Sequence, residues 1–389
     1  MVHYAIMKSH SDENISTVVQ GKHSIIRYIK KLPEHMHYRS VVIDNKSGNI
    51  VCVAPSKSVE FKDDMYQNIL AEEFIDGTMI NLFWGGEDWE IATRSCIGGK
   101  NKFYKDVPTF RHMFLSALPT ELDLDELPRL SENNMPLVYS FVLQHKDNRI
   151  VYPITENRVY LVELFEIENK DTLANINILP LRENKFAKHL IETHKFLQPS
   201  LYKLNCTKKD IRLLKDKYAS DRTPYMVQGV VFKNMDLGLR AKYRNPNYET
   251  IRRLRGNQSS PLYRFLESKF NGTLTTYLKY YSEENEAITN YETIWWSYVK
   301  QLHEYYVMCY IKHVHTVKAY PYEYKIHMYK LHDLYKQTGN ITCLKKVSEY
   351  MTALHPSQQM YVLNYTASNN CPNSRPNAKY INTNNIPKD

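Results

Sequence analysis

Beyond residue 250 the apolar residues fall into helical steps; before it they do not. Ile288, Tyr291, Trp295, Tyr298, Leu302, Tyr305 and Cys309 recur at spacings of three and four, which lines one face of a long helix. Upstream, Ser259-Ser260-Pro261 places a hydroxyl cap before a proline at the first helical position, a helix start. Pro321 opens another helix that Gly339 stops, and Leu344, Val347, Met351 and Leu354 mark a last one before Pro356. Residues 251–365 are therefore expected to form an all-helical domain. From residue 366 the chain turns to Ser, Asn and Pro with few apolar residues, so 366–389 is expected to be a disordered tail.

Residues 1–250 have a different texture. Short β-rich runs recur at 40–44, 50–54, 78–84, 89–94, 138–143, 158–167 and 227–232, separated by turn signals such as Asn49, Gly85-Gly86 and Asp147-Asn148. Helical spacing appears at 110–118 and 184–197. Strands this short and irregularly spaced do not build βαβ units, and the expected class is α+β with antiparallel sheets.

The formal net charge of +9 favours acidic partners, with nucleic acid first among them. Cys52, Cys96, Cys206, Cys309, Cys343 and Cys371 are scattered without a CxxC pair, which gives neither a zinc finger nor a disulfide framework. The first sixteen residues hold no apolar signal-peptide core, and apolar runs such as 159–165 are too short to cross a bilayer. The expectation is an intracellular, cytoplasmic protein that does not enter membranes. His303, His313, His315, His327 and His332 do not make a metal site, because His313 and His315 at i, i+2 would face different directions on a helix. Trp295-Trp296 reads as helical core rather than a base-stacking platform.

Several blocks follow one another in order. Tyr38-Arg39-Ser40-Val41-Val42-Ile43-Asp44 leads to Ala54-Pro55-Ser56-Lys57, and then to Glu72-Glu73-Phe74-Ile75-Asp76-Gly77. After these come Thr93-Arg94-Ser95-Cys96-Ile97-Gly98-Gly99, Asp147-Asn148-Arg149-Ile150-Val151, Gln228-Gly229-Val230-Val231-Phe232-Lys233 and Leu239-Arg240-Ala241-Lys242-Tyr243-Arg244. Taken alone, the Asp76-Gly77 block reads as a hairpin turn. As an ordered set over residues 38–245, the blocks resemble the covalent nucleotidyltransferases, and within them the ATP-dependent RNA ligases of the phage tRNA-repair type. The helical third is similar to the accessory domain of those ligases. The blocks also look similar to ligase-like proteins of large DNA viruses, which would make a virion location possible.

The resemblance implies a mechanism. A lysine of the KxDG motif attacks the α-phosphate of ATP, and the AMP then passes to an RNA 5′-phosphate. Aligned on Asp76-Gly77, that lysine position holds Phe74, which has no nucleophilic atom. The metal-holding glutamate of the EGVV motif is Gln228, and the glutamate before NRIV falls near Val142. The resemblance assigns nucleotide and phosphate contacts to Arg94, Lys233, Arg240 and Lys242, with Gly98 in the same block as Arg94. ATP and Mg2+ would be the cofactors if ligase activity survives.

Between Asp236 and Arg255 lie six Arg or Lys against two acids, and this basic run continues from the last strand block. Arg244, Arg252, Arg253 and Arg255 are thus candidates for an RNA-backbone track, with a solvated helix face as the alternative. Taken singly, Arg94, Lys233 and Lys242 read as ordinary strand-face cations. Three functions stay open. One is an RNA- or nucleotide-binding protein on a degenerate ligase fold, a pseudoenzyme. Another is an active RNA ligase or nucleotidyltransferase with a displaced nucleophile, for which Lys57 and Lys62 are the nearest candidates. The third is a structural scaffold using the fold as a packing unit.

Overall fold

The computed structural model describes residues 3–369 apart from 10–11, 63–64, 66, 104–106 and 206. The chain divides into two compact units, Met1–Arg253 and Leu254–Asp389.

Three antiparallel sheets build the first unit. Its strands are β1 (Tyr4–Met7), β2 (Ile15–Gln20), β3 (His23–Tyr28), β4 (Val41–Asp44), β5 (Ile50–Cys52), β6 (Ile69–Glu73) and β7 (Thr78–Trp84). They continue with β8 (Trp89–Ala92), β9 (Leu137–Gln144), β10 (Arg158–Asn169), β11 (Leu173–Leu179), β12 (Leu201–Tyr202), β13 (Gly229–Asn234) and β14 (Leu239–Arg244). The central sheet runs β1-β11-β10-β9-β7-β8, a second runs β12-β6-β13-β14 and a third β2-β3-β4-β5. Each β-rich run expected from sequence contains a strand. Some of the strands outside those runs lack a clear apolar alternation: β6 ends in two glutamates and β2 leaves Val18 and Val19 exposed.

Alternation along the central strands divides the core. Ile80, Leu82, Tyr139, Phe141 and Leu161 face one way and pack with Phe114 of α1 (Phe110–Ala117) and Leu190 of α2 (Lys185–His194). On the other face, Phe83, Val138, Phe165 and Ile176 meet Ile25, Val41 and Val42 of the third sheet. Burying one such side chain is worth about 1.5–3 kcal/mol. The second sheet also has an apolar face, where Ile69, Ala71, Val230 and Phe232 pack on Ile211 of α3 (Lys208–Tyr218).

A single irregularity in the central sheet redirects one acid. The register of β10 against β9 shifts between Leu161, opposite Phe141, and Glu163, opposite Ser140. The extra residue, Val162, is a β-bulge. Without it, Glu163 would pair with Tyr139 and point into the helix-covered core. With it, Glu163 shares the face of Ser140.

In the second unit the helices are α5 (Pro261–Phe270), α6 (Leu274–Tyr280), α7 (Asn285–Tyr306), α8 (Tyr322–Thr338), α9 (Leu344–Ala353) and α10 (Pro356–Asn369), after α4 (Pro246–Arg255), which reaches the junction. Ser260 caps α5 by accepting from the Tyr263 N–H. Gly339 ends α8 in the left-handed region at φ 66°. Helix α7 buries Ile288, Trp295, Tyr298 and Leu302, the face its spacing predicts, and its last turn widens into a π-helix at Val307–Ile311. Trp295 is core, its Nε1 donating to Gln359 Oε1 at 2.9 Å. Pro356, read from sequence as a terminator, also opens α10. That helix runs through Asn369, so residues 366–369 of the expected tail are helical; 370–389 lie outside the described residues. No helix among the described residues is long and apolar enough to cross a membrane.

Candidate functional site

The charged face of the second sheet and the bulged stretch of β10 come together in the first unit. Pairing of β6, β13 and β14 sets Val231 opposite Glu72 and Lys242, and Lys233 opposite Leu70 and Arg240. Because side chains alternate, Glu72, Lys233, Arg240 and Lys242 share the face opposite the α3-packed one.

At one end of this face every charge is matched. Lys233 Nζ lies 2.6 Å from Glu72 Oε1 and 3.6 Å from Glu163 Oε1, and donates to the Val162 carbonyl at 2.8 Å. The Arg240 guanidinium donates from Nε to the Ser56 carbonyl at 2.7 Å and from Nη2 to the Pro55 carbonyl at 3.1 Å. Its Nη1 reaches Glu163 Oε1 at 3.3 Å. Both cations were assigned to phosphate from sequence; the structure instead buries Arg240 and engages both with protein oxygens, because two carboxylates from other strands reach them first. A cavity of about 130 Å³ adjoins this end, lined by Leu70, Glu72, Leu179 and Lys233. It is smaller than the roughly 300–1,000 Å³ typical of ligand pockets.

At the other end most of the cations are not matched; Arg244, which pairs with Glu249, is the exception. Lys242 Nζ sits 4.4 Å from the Phe74 ring centroid, and the Arg244 guanidinium lies 5.6 Å from the same ring. Arg39 shares the Pro55 carbonyl with Arg240, donating to it from Nη1 at 3.5 Å. The Pro55-Ser56-Lys57 segment is held beside β14 by Arg240 and by Val59 N–H donating to the Arg240 carbonyl at 2.9 Å. Burial, and then the guanidinium groups of Arg240 and Arg39, push the Lys242 pKa well below the ordinary lysine value. Burial first and Arg240 next bring Arg39 down to about 10. Lys57 is lowered by burial, then by Arg39, with Lys31, Arg244 and Arg94 adding to it. Arg94 also stacks at 5.1 Å over Tyr28. Among the described residues no carboxylate pairs with Arg39, Lys57, Arg94 or Lys242.

Asp76, Arg149, Gly77 and Gly229 hold the fold around this site. Asp76 Oδ2 accepts the backbone N–H groups of Val151 (3.1 Å) and Tyr152 (2.8 Å), and Oδ1 accepts the Tyr248 hydroxyl at 2.7 Å. Arg149 closes the same loop by donating to the Val151 carbonyl. A Cβ on Gly77 would collide with the Leu143 carbonyl, and one on Gly229 with the Tyr243 carbonyl, so close backbone approach fixes both glycines. At the positions where the ligase pattern has chemistry, Val142 sits in an apolar cluster with Ile75 and Val162, and Phe74 is buried under Lys242. Gln228 is buried, and its amide oxygen has no hydrogen-bond partner among the described residues.

The donor set does not fit a divalent metal. Gln228 brings no charge, Val142 brings no donor, and Glu72 and Glu163 are neutralised by Lys233 and Arg240. Among the described residues no group of three His, Cys, Asp or Glu side chains could hold an ion.

The four arginines of the expected RNA track stand in different settings. Arg244 and Arg252 both pair with Glu249, at 3.2 and 3.3 Å, and Arg253 is exposed. Arg255 is buried in the second unit, 3.7 Å from Glu284 and over the Tyr281 ring, so it is not on an exposed track. The helical periodicity of α4 sends successive arginines in different directions. Sequence reading missed Arg39 as a site residue, although the block that contains it was visible. It also missed Glu72 and Glu163, whose role depends on the bulge.

No family model matches the sequence, and neither does any curated protein. Among solved structures the chain is similar to a putative ATP-dependent DNA ligase from Aquifex aeolicus, with 14% identity and a TM-score of 0.41 over 72% of this chain and 74% of that one. It is similar to an archaeal ATP-dependent RNA ligase with the same identity and TM-score, over 72% of each chain. An RNA ligase mutant of Naegleria gruberi with ATP and Mn matches over 50% of this chain and 55% of its own, with 13% identity and a TM-score of 0.36. Likenesses this distant leave function to the residues of the cleft.

Proposed function

We propose that the protein binds the phosphate groups of a nucleotide or an RNA end on a ligase-type nucleotidyltransferase scaffold, and forms no lysyl-adenylate at position 74. One observation carries this reading: Arg39, Lys57, Arg94 and Lys242 act on one another electrostatically, Lys242 lies over the Phe74 ring, and among the described residues none of the four forms an ion pair with a carboxylate. Holding like charges together at a partly buried site costs stability, and a bound polyanion offsets that cost. A protein that used this sheet only for packing would gain nothing from the arrangement, as the matched end of the same sheet illustrates. Phosphate recognition by clustered Arg and Lys needs no covalent step. The ordered ligase-like blocks support the scaffold reading, and their loss at Phe74, Val142 and Gln228 supports the absence of adenylate chemistry there.

The test is fluorescence anisotropy with a 5′-phosphorylated RNA oligonucleotide and with ATP, alongside labelling by [α-³²P]ATP. Binding that weakens steeply with salt and falls at least tenfold in Lys242→Met is expected, with no labelled band. A band that persists through denaturation would restore an active nucleotidyltransferase. No binding of either ligand would leave the scaffold role.

A further inference from the structure

The unmatched cations and the lost metal donors belong together. In a site built around a divalent ion, carboxylates hold the metal and the metal neutralises the phosphates. In this cleft the carboxylates are already taken: Glu72 by Lys233, and Glu163 by Lys233 and Arg240. The position that would add a further carboxylate is the amide Gln228, and Val142 sits in an apolar cluster. A divalent ion entering here would meet four cations that no carboxylate among the described residues pairs with, and the acid that acts on Lys242 and Arg39, Glu163, is already engaged by Lys233 and Arg240, so the local field repels it. The same field suits an anion that arrives without a metal.

The charge balance also limits which anion. A phosphate monoester carries about −2 at neutral pH, which leaves half of Arg39, Lys57, Arg94 and Lys242 unmatched. A chain of three phosphates carries about twice that charge and would match all four. The cations are also spread rather than gathered on one point. Lys242 lies over Phe74, Arg39 is hooked on the Pro55 carbonyl, Lys57 follows two residues later, and Arg94 stands over Tyr28. Four cations held on separate supports suit a polyphosphate better than a single tetrahedral group.

We infer that this cleft takes a triphosphate group in its metal-free form, with Arg39, Lys57, Arg94 and Lys242 standing where a divalent ion would otherwise neutralise it. The inference rests on the phosphate-binding function already proposed and adds the ligand's charge state and length. Two sources carry the same chemistry, a free nucleoside triphosphate and the 5′-triphosphate end of an RNA.

The experiment measures anisotropy of the purified full-length protein with RNA oligonucleotides of one sequence ending in 5′-hydroxyl, 5′-monophosphate or 5′-triphosphate. Each is measured in EDTA and again in magnesium at matched ionic strength, with ATP as competitor. The expected result is that the triphosphate end binds at least tenfold tighter than the monophosphate in EDTA, and that magnesium weakens it by masking the ligand. Arg94→Ala, at an exposed residue, should narrow the triphosphate advantage severalfold without unfolding the protein, and Lys242→Met should narrow it further. ATP competing as well as the RNA end identifies the nucleotide as the ligand; ATP competing poorly identifies the RNA end. Equal affinity for the mono- and triphosphate ends, or binding that requires magnesium, overturns this inference while leaving phosphate binding intact. No binding under any condition overturns both.

Discussion

The two ends of the charged cleft are made of the same strands and the same residue types, yet they do opposite things. Lys233 and Lys242 lie on paired neighbouring strands and point from the same sheet face. Lys233 is locked between Glu72, Glu163 and a carbonyl, while Lys242 makes no ion pair among the described residues and has chiefly cations and an aromatic ring around it, with Glu163 acting on it only beyond ion-pair distance. A buried charge with its partners present is part of the folded structure, and removing one partner leaves the other stranded. A partly buried charge among like charges is held there by the rest of the fold, and is available to a ligand. Matching thus separates architecture from site.

The comparison can be broken most severely at the matched end. Glu163→Leu takes the carboxylate from the buried Arg240 and leaves Lys233 with Glu72 alone, and should cost about 3–5 kcal/mol of unfolding free energy. Urea denaturation measures it, and a loss below about 1 kcal/mol would mean that the network is solvent-relaxed rather than structural. At the unmatched end the sign should reverse. Lys242→Met keeps an unbranched side chain one atom shorter, removes a repelled charge, and should leave stability unchanged or raise it by up to about 1 kcal/mol while binding is lost. A destabilisation comparable to that of Glu163→Leu would remove the distinction between the ends.

The smallest effect is in pH. Because the Lys242 pKa is lowered in the folded protein, the unfolded chain holds more protons between that lowered value and the ordinary 10.5. Stability contributed by this group therefore rises with pH across that window, and the penalty for its charge is complete below it. The stability advantage of Lys242→Met over the unmodified chain should be largest at low pH and vanish towards 10.5. Phosphate binding should show the opposite trend, tightening as pH falls, with proton uptake measurable by calorimetry in buffers of different ionisation enthalpy. An advantage independent of pH would place the Lys242 charge in solvent.

Much of this was open to sequence reading, and the rest was closed for identifiable reasons. The steps of three and four after residue 250 predicted α7 because a helix must bury a stripe, and Ile288, Trp295, Tyr298 and Leu302 are that stripe. Pro356 was misjudged because a proline that ends one helix can equally start the next. Phe74 was legible because a phenyl ring cannot be a nucleophile in any fold. Asp76 was visible as a motif residue, but its work in holding Val151, Tyr152 and Tyr248 was not.

What the amino-acid order determined by itself is the two-part texture of the chain, the ordered blocks, and side chains at positions 74, 142 and 228 that bring neither an amine nor a carboxylate. Only the tertiary structure decided which cations are free. Lys233, Arg240 and Lys242 look alike along the chain, and their fate depends on Glu163, 77 residues away from Arg240 and turned into the cleft by a single bulged residue. Charge pairing follows from proximity in space, and a one-residue shift in register reverses which face a side chain occupies. Local sequence carries no record of either.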